Sequence, residues 1–128
     1  DDPEALALLP LAKEVITFGI AQEKAQIGVV AGSIAEGPMR QAALVIDRHD
    51  GSEHALTLNL PGRHNLSNAL AAIAGAAAAG IPVAKAVEAL AGFDGLARRF
   101  DVIGSSPSGI TVIDDFGHNP EKCAAALL

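Results

Sequence analysis

The 128 residues carry a formal net charge of −6, and half of them are hydrophobic, yet there are only four phenylalanines and neither tyrosine nor tryptophan. Nonspecific nucleic-acid binding needs a basic patch, and the longest basic cluster here is Arg98-Arg99. One cysteine, Cys123, excludes an internal disulfide and suits a reducing compartment.

The opening "DDPEALALLP" is acidic and lacks the basic start of a secretion signal. "KEVITFGI" (13–20) is a short β-branched run closed by Gly19 and reads as a buried strand, and "AQIGVVAGSI" (25–34) reads as another. "RQAALVIDRHDGSEHALTLNLPG" (40–62) has the form of a hairpin around Asp50-Gly51, a two-residue turn signal. These three segments predict a small antiparallel element. "NLSNALAAIAGAAAAG" (65–80) is rich in helix formers, and Gly80 stands where a helix stop belongs. Its small side chains would let another element pack closely. The interruptions at Gly75, Gly80 and Pro82 keep 69–84 from reading as a membrane span. Pro82 suits the first turn of a second helix that places Val83, Val87 and Leu90 on one face. "RFDVIG" and "GITVIDDF" are further strands, separated by the turn-rich "GSSPSG" (104–109). Asn119-Pro120 then reads as an N-cap followed by Pro at the first helical position, opening "EKCAAALL". The whole is expected to be a cytoplasmic α/β polypeptide with no membrane segment. The last helix has no stop signal, and the reading is of a portion of a longer chain.

Three constellations stand out. In "GRHNLSNAL", Asn65 and Asn68 are three apart and share a helix face, and a carboxamide can meet both donor and acceptor on a base edge. Read alone, Asn65 or Ser67 is more commonly a helix cap, and His64 a hydrogen-bonded structural histidine. In "GLARRF", adjacent arginines point in different directions, so at most one faces a given site, where its planar fork can grip phosphate. In "VIDDFGHNP", two carboxylates end an apolar strand, and His118 and a helix start follow. Asp there can accept from ribose hydroxyls and His118 can donate to phosphate, while an Asx turn into a capped helix is the structural alternative. The acid pair is also a possible magnesium site, but no phosphate loop accompanies it in these residues.

Taken in order, "GRHNLSNALAAIAGA", "FDGLARRF" and "VIDDFGHNP" resemble the Mur ligase family, the ATP-dependent amide-forming enzymes of peptidoglycan precursor synthesis. The likeness is greatest to the branches that join alanine or a recycled tripeptide to a muramic acid carrier. It implies the latter part of a central ATPase domain over residues 1–96, with a mixed sheet, a small antiparallel element and alanine-rich helices. It also implies the first strands and helix of a Rossmann-like C-terminal ligase domain over 97–128. It implies ATP as cosubstrate, with Asn65 and Asn68 lining the adenine pocket beside His64, and Arg99 reaching the phosphates. Asp115 would contact the ribose, His118 the phosphates, and Asp114 would support them; Arg99 and His118 would be the catalytic pair. The partners implied are a UDP-muramic acid precursor and an amino acid or peptide. Mg²⁺ is implied too, with its ligands outside these residues, as is the missing Gly-Lys-Thr loop, so this piece alone would not catalyse ligation. Phe116 and Asn119 depart from the commoner tyrosine and histidine, and "GHNP" also occurs in folylpolyglutamate and cyanophycin synthetases. A ligase of that kind, or a non-catalytic nucleotide-binding module, is therefore the alternative.

Overall fold

Alternation along residues 41–47 organises the fold. In the computed structural model, which describes residues 3–21 and 23–127, strand β4 (Gln41–Asp47) buries every second side chain, Gln41, Ala43, Val45 and Asp47. Asp1, Asp2 and the terminal Leu128 of the expected sequence elements lie outside the described residues. One edge of β4 pairs antiparallel along its whole length with β5 (Ser52–Leu58). The other edge is shared by β2 (Ile27–Val29) at residues 45–47 and β3 (Ala35–Glu36) at 41–42, both antiparallel. β1 (Phe18–Gly19) adds parallel to β2, which makes the sheet mixed.

Helix α2 (Arg63–Ala78) lays a stripe of Leu66, Ala69, Leu70, Ile73 and Ala74 on this sheet, the spacing of one helical face. Ile27, Val45, Leu56, Leu66, Leu70 and Ile73 form the fully buried centre. Each such side chain stabilises the fold by about 1.5–3 kcal/mol relative to exposure. Gly80, in the left-handed region (φ 83°), closes α2: its N–H donates to Ala77 O at 2.9 Å and Ile81 N–H to Ala76 O at 2.9 Å, a Schellman pair. Helix α3 (Val83–Ala91) then buries Val83, Ala86 and Val87 against the same core, with Leu90 half-buried. A second, two-stranded antiparallel sheet follows, β6 (Asp101–Ser105) with β7 (Thr111–Asp114), and the chain enters α4 (Pro120–Leu127). A five-residue helix, α1 (Pro3–Ala7), precedes the sheet and was not foreseen in the acidic start.

Several expected elements differ in extent. The strands expected over 13–20 and 25–34 shorten to β1 and β2, because only those residues find a ladder partner. The Asp50-Gly51 turn is a four-residue loop, residues 48–51, with Asp47 paired to Ser52. Gly51 alone adopts positive φ there, and its N–H donates to Asp47 O at 2.8 Å. The Ser52 hydroxyl, then the Ser52 N–H, holds the Asp50 carboxyl below its ordinary pKa. Pro82 is the N-cap of α3 rather than its first residue; its carbonyl accepts from Lys85 and Ala86.

Replacing Ile73 by Ala should lower unfolding stability by about 2–5 kcal/mol. Lys85→Ala, which removes only an exposed ion pair to Glu88, should change it by less than about 0.5 kcal/mol. Urea denaturation of the two variants checks the contrast.

Candidate functional site

The turn from β5 into α2 is made by side-chain amides. The Gln41 Nε2 donates to Leu60 O at 2.8 Å and to Gly62 O at 2.7 Å, and the Asn65 Nδ2 donates to Pro61 O at 2.8 Å. Three consecutive carbonyls outside the sheet ladder each accept from a side-chain amide this way. Asn65 is thus not a helix cap; the N-cap is Gly62, at φ 89°, with no side-chain cap bond. Asn65 and Leu66 N–H both donate to Gly62 O. A Cβ at residue 62 would lie 2.8 Å from His64 Cε1, so glycine there sets where His64 sits.

The link after α3 holds its shape through carboxylates. Arg98 (φ 61°) and Phe100 (φ 52°) both occupy the left-handed region, at a cost of roughly 1–2 kcal/mol each for residues with a Cβ. Arg98 N–H donates to Asp101 Oδ2 at 3.2 Å, and Phe100 N–H to Asp115 Oδ2 at 2.9 Å. Arg99 N–H donates to Leu96 O, and Phe116 N–H to Arg98 O. This backbone separates the two arginines. The Arg98 Nε lies 3.5 Å from Asp114 Oδ2, and its guanidinium stands 5.0 Å over the Phe116 ring. Arg99 faces the other way, toward a cavity.

The third segment begins where β7 ends at Asp114. Asn119 Oδ1 accepts from Lys122 N–H at 2.8 Å and its carbonyl accepts from Cys123 N–H, so Asn119 caps α4 with Pro120 behind it, as the sequence suggested. Nδ1 of His118 is 3.3 Å from Phe116 O and Nε2 is 3.4 Å from Lys122 Nζ. The two rings pack at 5.2 Å.

These segments wall a cavity of about 610 Å³. His64, Asn65 and Asn68 come from α2, Arg99 and Phe100 from the link, and Asp115, Asn119, Glu121 and Lys122 from the last segment. A second, more apolar space of about 530 Å³ shares Asn65, Asn68 and Arg99 with it and is lined by Leu58, Leu60, Ala69, Leu90, Phe93 and Leu96. Five of the six candidate residues read from the sequence therefore converge, and His118 is the exception: its ring is engaged with Phe116 and Lys122 rather than lining the space. Phe100, Glu121 and Lys122 were missed. Lys122 had one available signal, its place three residues after a capping Asn, which fixes its backbone in the first turn of α4. Among the described residues no group of three or more His, Cys, Asp or Glu is arranged to hold a metal ion. Nor is any helix among them long and apolar enough to cross a membrane.

Residues 1–76 match the model of the Mur ligase middle domain. The UDP-N-acetylmuramate–L-alanine ligase of Ralstonia nicotianae is 40% identical over 134 aligned residues, covering 99% of this chain and 28% of the relative. The chain thus spans just over a quarter of the length of such relatives. Among solved structures, the UDP-N-acetylmuramate-alanine ligase MurC of Thermotoga maritima is similar at TM-score 0.70 and 34% identity, over 88% of this chain and 25% of that one. MurF of Acinetobacter baumannii is similar at TM-score 0.82 and 25% identity, over 98% of this chain and 26% of that one.

Gly62→Ala should destabilise the protein by more than about 1 kcal/mol, because alanine must adopt φ near 89° and meet the His64 ring. Thermal unfolding reads the loss, and displaced His64 imidazole resonances in NMR read the local shift.

Proposed function

Since the chain belongs to the Mur ligase family through its middle domain, we propose that it forms the adenosine-facing part of an ATP-dependent ligase. The reaction is the joining of an amino acid or peptide to a UDP-N-acetylmuramic acid precursor, in peptidoglycan synthesis or recycling in the cytoplasm. Residues 1–96 are assigned to the end of the central ATP-binding domain and 97–128 to the start of the C-terminal domain. The convergence of α2, the Arg99 link and Asp115 on one cavity carries this reading. A nucleotide needs an apolar slot for its base, polar groups for its sugar and cations for its phosphates, and the two adjoining spaces, which share Asn65, Asn68 and Arg99, offer all three between them.

The roles follow from position. Asn65 and Asn68 stand on the border of the apolar and polar spaces, where a carboxamide can read the adenine edge. Asp115 uses Oδ2 for Phe100 N–H, so Oδ1 is the oxygen left to take a ribose hydroxyl. Arg99 supplies a fixed, planar cation to the phosphates. ATP would phosphorylate the substrate carboxylate, and the incoming amine would displace phosphate from the acyl phosphate. Within that scheme the residues here bind and orient, and stabilise charge electrostatically. Magnesium finds no ligand set among the described residues, so its ligands are assigned to the rest of the full-length protein and no step is derived through it. A full-length sequence lacking a Gly-Lys-Thr/Ser phosphate loop upstream of these residues would remove the ligase reading.

The purified full-length protein should consume ATP only when the UDP-muramic acid substrate and an amino acid are both present; nucleotide binding without turnover would instead indicate a non-catalytic module. Asp115→Ala should raise KM for ATP by about tenfold or more, on the scale of a lost hydrogen bond to a charged group, and leave KM for the UDP substrate nearly unchanged. Arg99→Lys should lower kcat/KM for ATP, because an ammonium cannot reproduce the guanidinium fork. Steady-state kinetics with each substrate varied in turn distinguishes these effects.

A further inference from the structure

The family resemblance implies that His118 meets the phosphates, whereas in the structure a different side chain of the same segment lines the space. Lys122 lines the cavity with Arg99, Asn65 and Asp115, and His118 does not. Lys122 is held there from two directions. Its N–H is capped by Asn119 Oδ1 at 2.8 Å, which fixes its stem in the first turn of α4. Its ammonium lies 3.4 Å from His118 Nε2, and an ammonium can only donate, so Nε2 must be the lone-pair side of the ring. The other ring nitrogen, 3.3 Å from Phe116 O, then carries the proton and donates to that carbonyl. Phe116 backs the ring at 5.2 Å. With Nδ1–H spent on Phe116 O and Nε2 accepting from Lys122, His118 has no N–H to give an anion in this arrangement.

We propose that Lys122 is a phosphate-binding residue of this cavity, a second cation alongside Arg99 in its lining, and that His118 acts through it as a positioning residue. The ligand class is the polyphosphate of a nucleoside triphosphate. This rests on the nucleotide reading above, since without a nucleotide the cavity has no phosphates to meet. The two cations come from different segments, the link and α4, so a polyphosphate that meets both touches both segments. Glu121 and Asp115 share the lining, and their negative charge makes two cations rather than one the requirement for holding a polyanion.

The test is calorimetric titration of the full-length protein with adenosine and with a non-hydrolysable ATP analogue. Lys122→Ala should weaken the triphosphate analogue about tenfold or more, the range of a charge-assisted contact, and change adenosine affinity by less than about twofold. Lys122→Arg should retain most of the triphosphate affinity. His118→Ala should weaken the analogue in the wild-type background and add nothing in the Lys122→Ala background, because coupled residues are non-additive. Equal losses for adenosine and triphosphate, or no loss for either, would overturn the role of Lys122 while the nucleotide reading stands. Additive losses would make His118 a phosphate contact in its own right and overturn its positioning role. Failure of the wild type to bind either ligand would overturn the nucleotide reading, and this one with it. Lys122 and His118 are both exposed, so thermal unfolding of the variants should match the wild type.

Discussion

A carboxamide with almost no solvent exposure, that of Gln41, joins the sheet to the helix that opens the cavity. The chain must leave β5 after Leu58 and re-enter as α2 at Arg63, which strands the carbonyls of the turn away from any strand partner. One NH₂ group carries two hydrogens, and Gln41 spends them on Leu60 and Gly62, while Asn65 covers Pro61 between them. The arrangement leaves the Gln41 Oε1 buried without a partner among the described residues. An unmet acceptor costs about 1–3 kcal/mol, the same order as leaving the Leu60 carbonyl without the Gln41 donor, while Gly62 O also accepts from the Asn65 and Leu66 N–H groups. Because Asn65 is both a brace of this turn and a wall of the cavity, the fold and the site share the same bonds. A shift in the turn is a shift in the site.

The opposite wall is built on a different principle. Arg98 and Phe100 are kept in a left-handed backbone by acceptors that belong to Asp101 and Asp115, and the strain is local and specific. Its effect is to separate two adjacent cations: Arg98 packs on Phe116 beside Asp114, and Arg99 is delivered to the cavity. Asp115 is central to both functions, since one of its oxygens holds the link while it also lines the space. The doubled aspartate therefore divides its labour, Asp114 serving Arg98 and Asp115 serving the link and the cavity.

What could be read from the sequence was whatever depends on local chemistry. The hairpin of 40–62, the helix of 65–80, the stop at Gly80 and the Asn119-Pro120 start each follow from a few adjacent residues, and each is present. Strand length was overestimated because β-branched runs mark where a strand could form, whereas β1 and β2 extend only where a neighbour supplies hydrogen bonds. The Asp50-Gly51 signal named the right place and the wrong loop, since Asp50 is not required at positive φ when Arg48 and His49 join the turn. Which arginine faces the cavity was open in the sequence, because one of the two left-handed residues that decide it, Phe100, is held by a carboxylate fifteen positions away. Lys122 was invisible for a related reason. A motif draws attention to its histidine, but the bonds that engage His118 with Phe116 O and turn it toward Lys122 exist only once the turn has formed.

The two walls also differ in what holds them. The α2 wall stands on a core whose largest members are at most 1% exposed. Residues of the β6–β7 hairpin such as Ile103, Ile110 and Val112 are 55–65% exposed, so the hairpin gains little from burial among the described residues. A lone two-stranded hairpin is marginal in water. The wall built on the link therefore relies on exposed hydrogen bonds such as Phe100 N–H to Asp115, each worth about 0.5–1.5 kcal/mol net, or somewhat more where the acceptor is charged. Interactions of that size are comparable to what one ligand contact supplies. A ligand that touches both walls can then shift their spacing by preferring one arrangement, provided its contacts differ between arrangements. The shared position of Arg99 and Asp115, at the link and on the cavity together, is what makes such a preference available to a bound ligand.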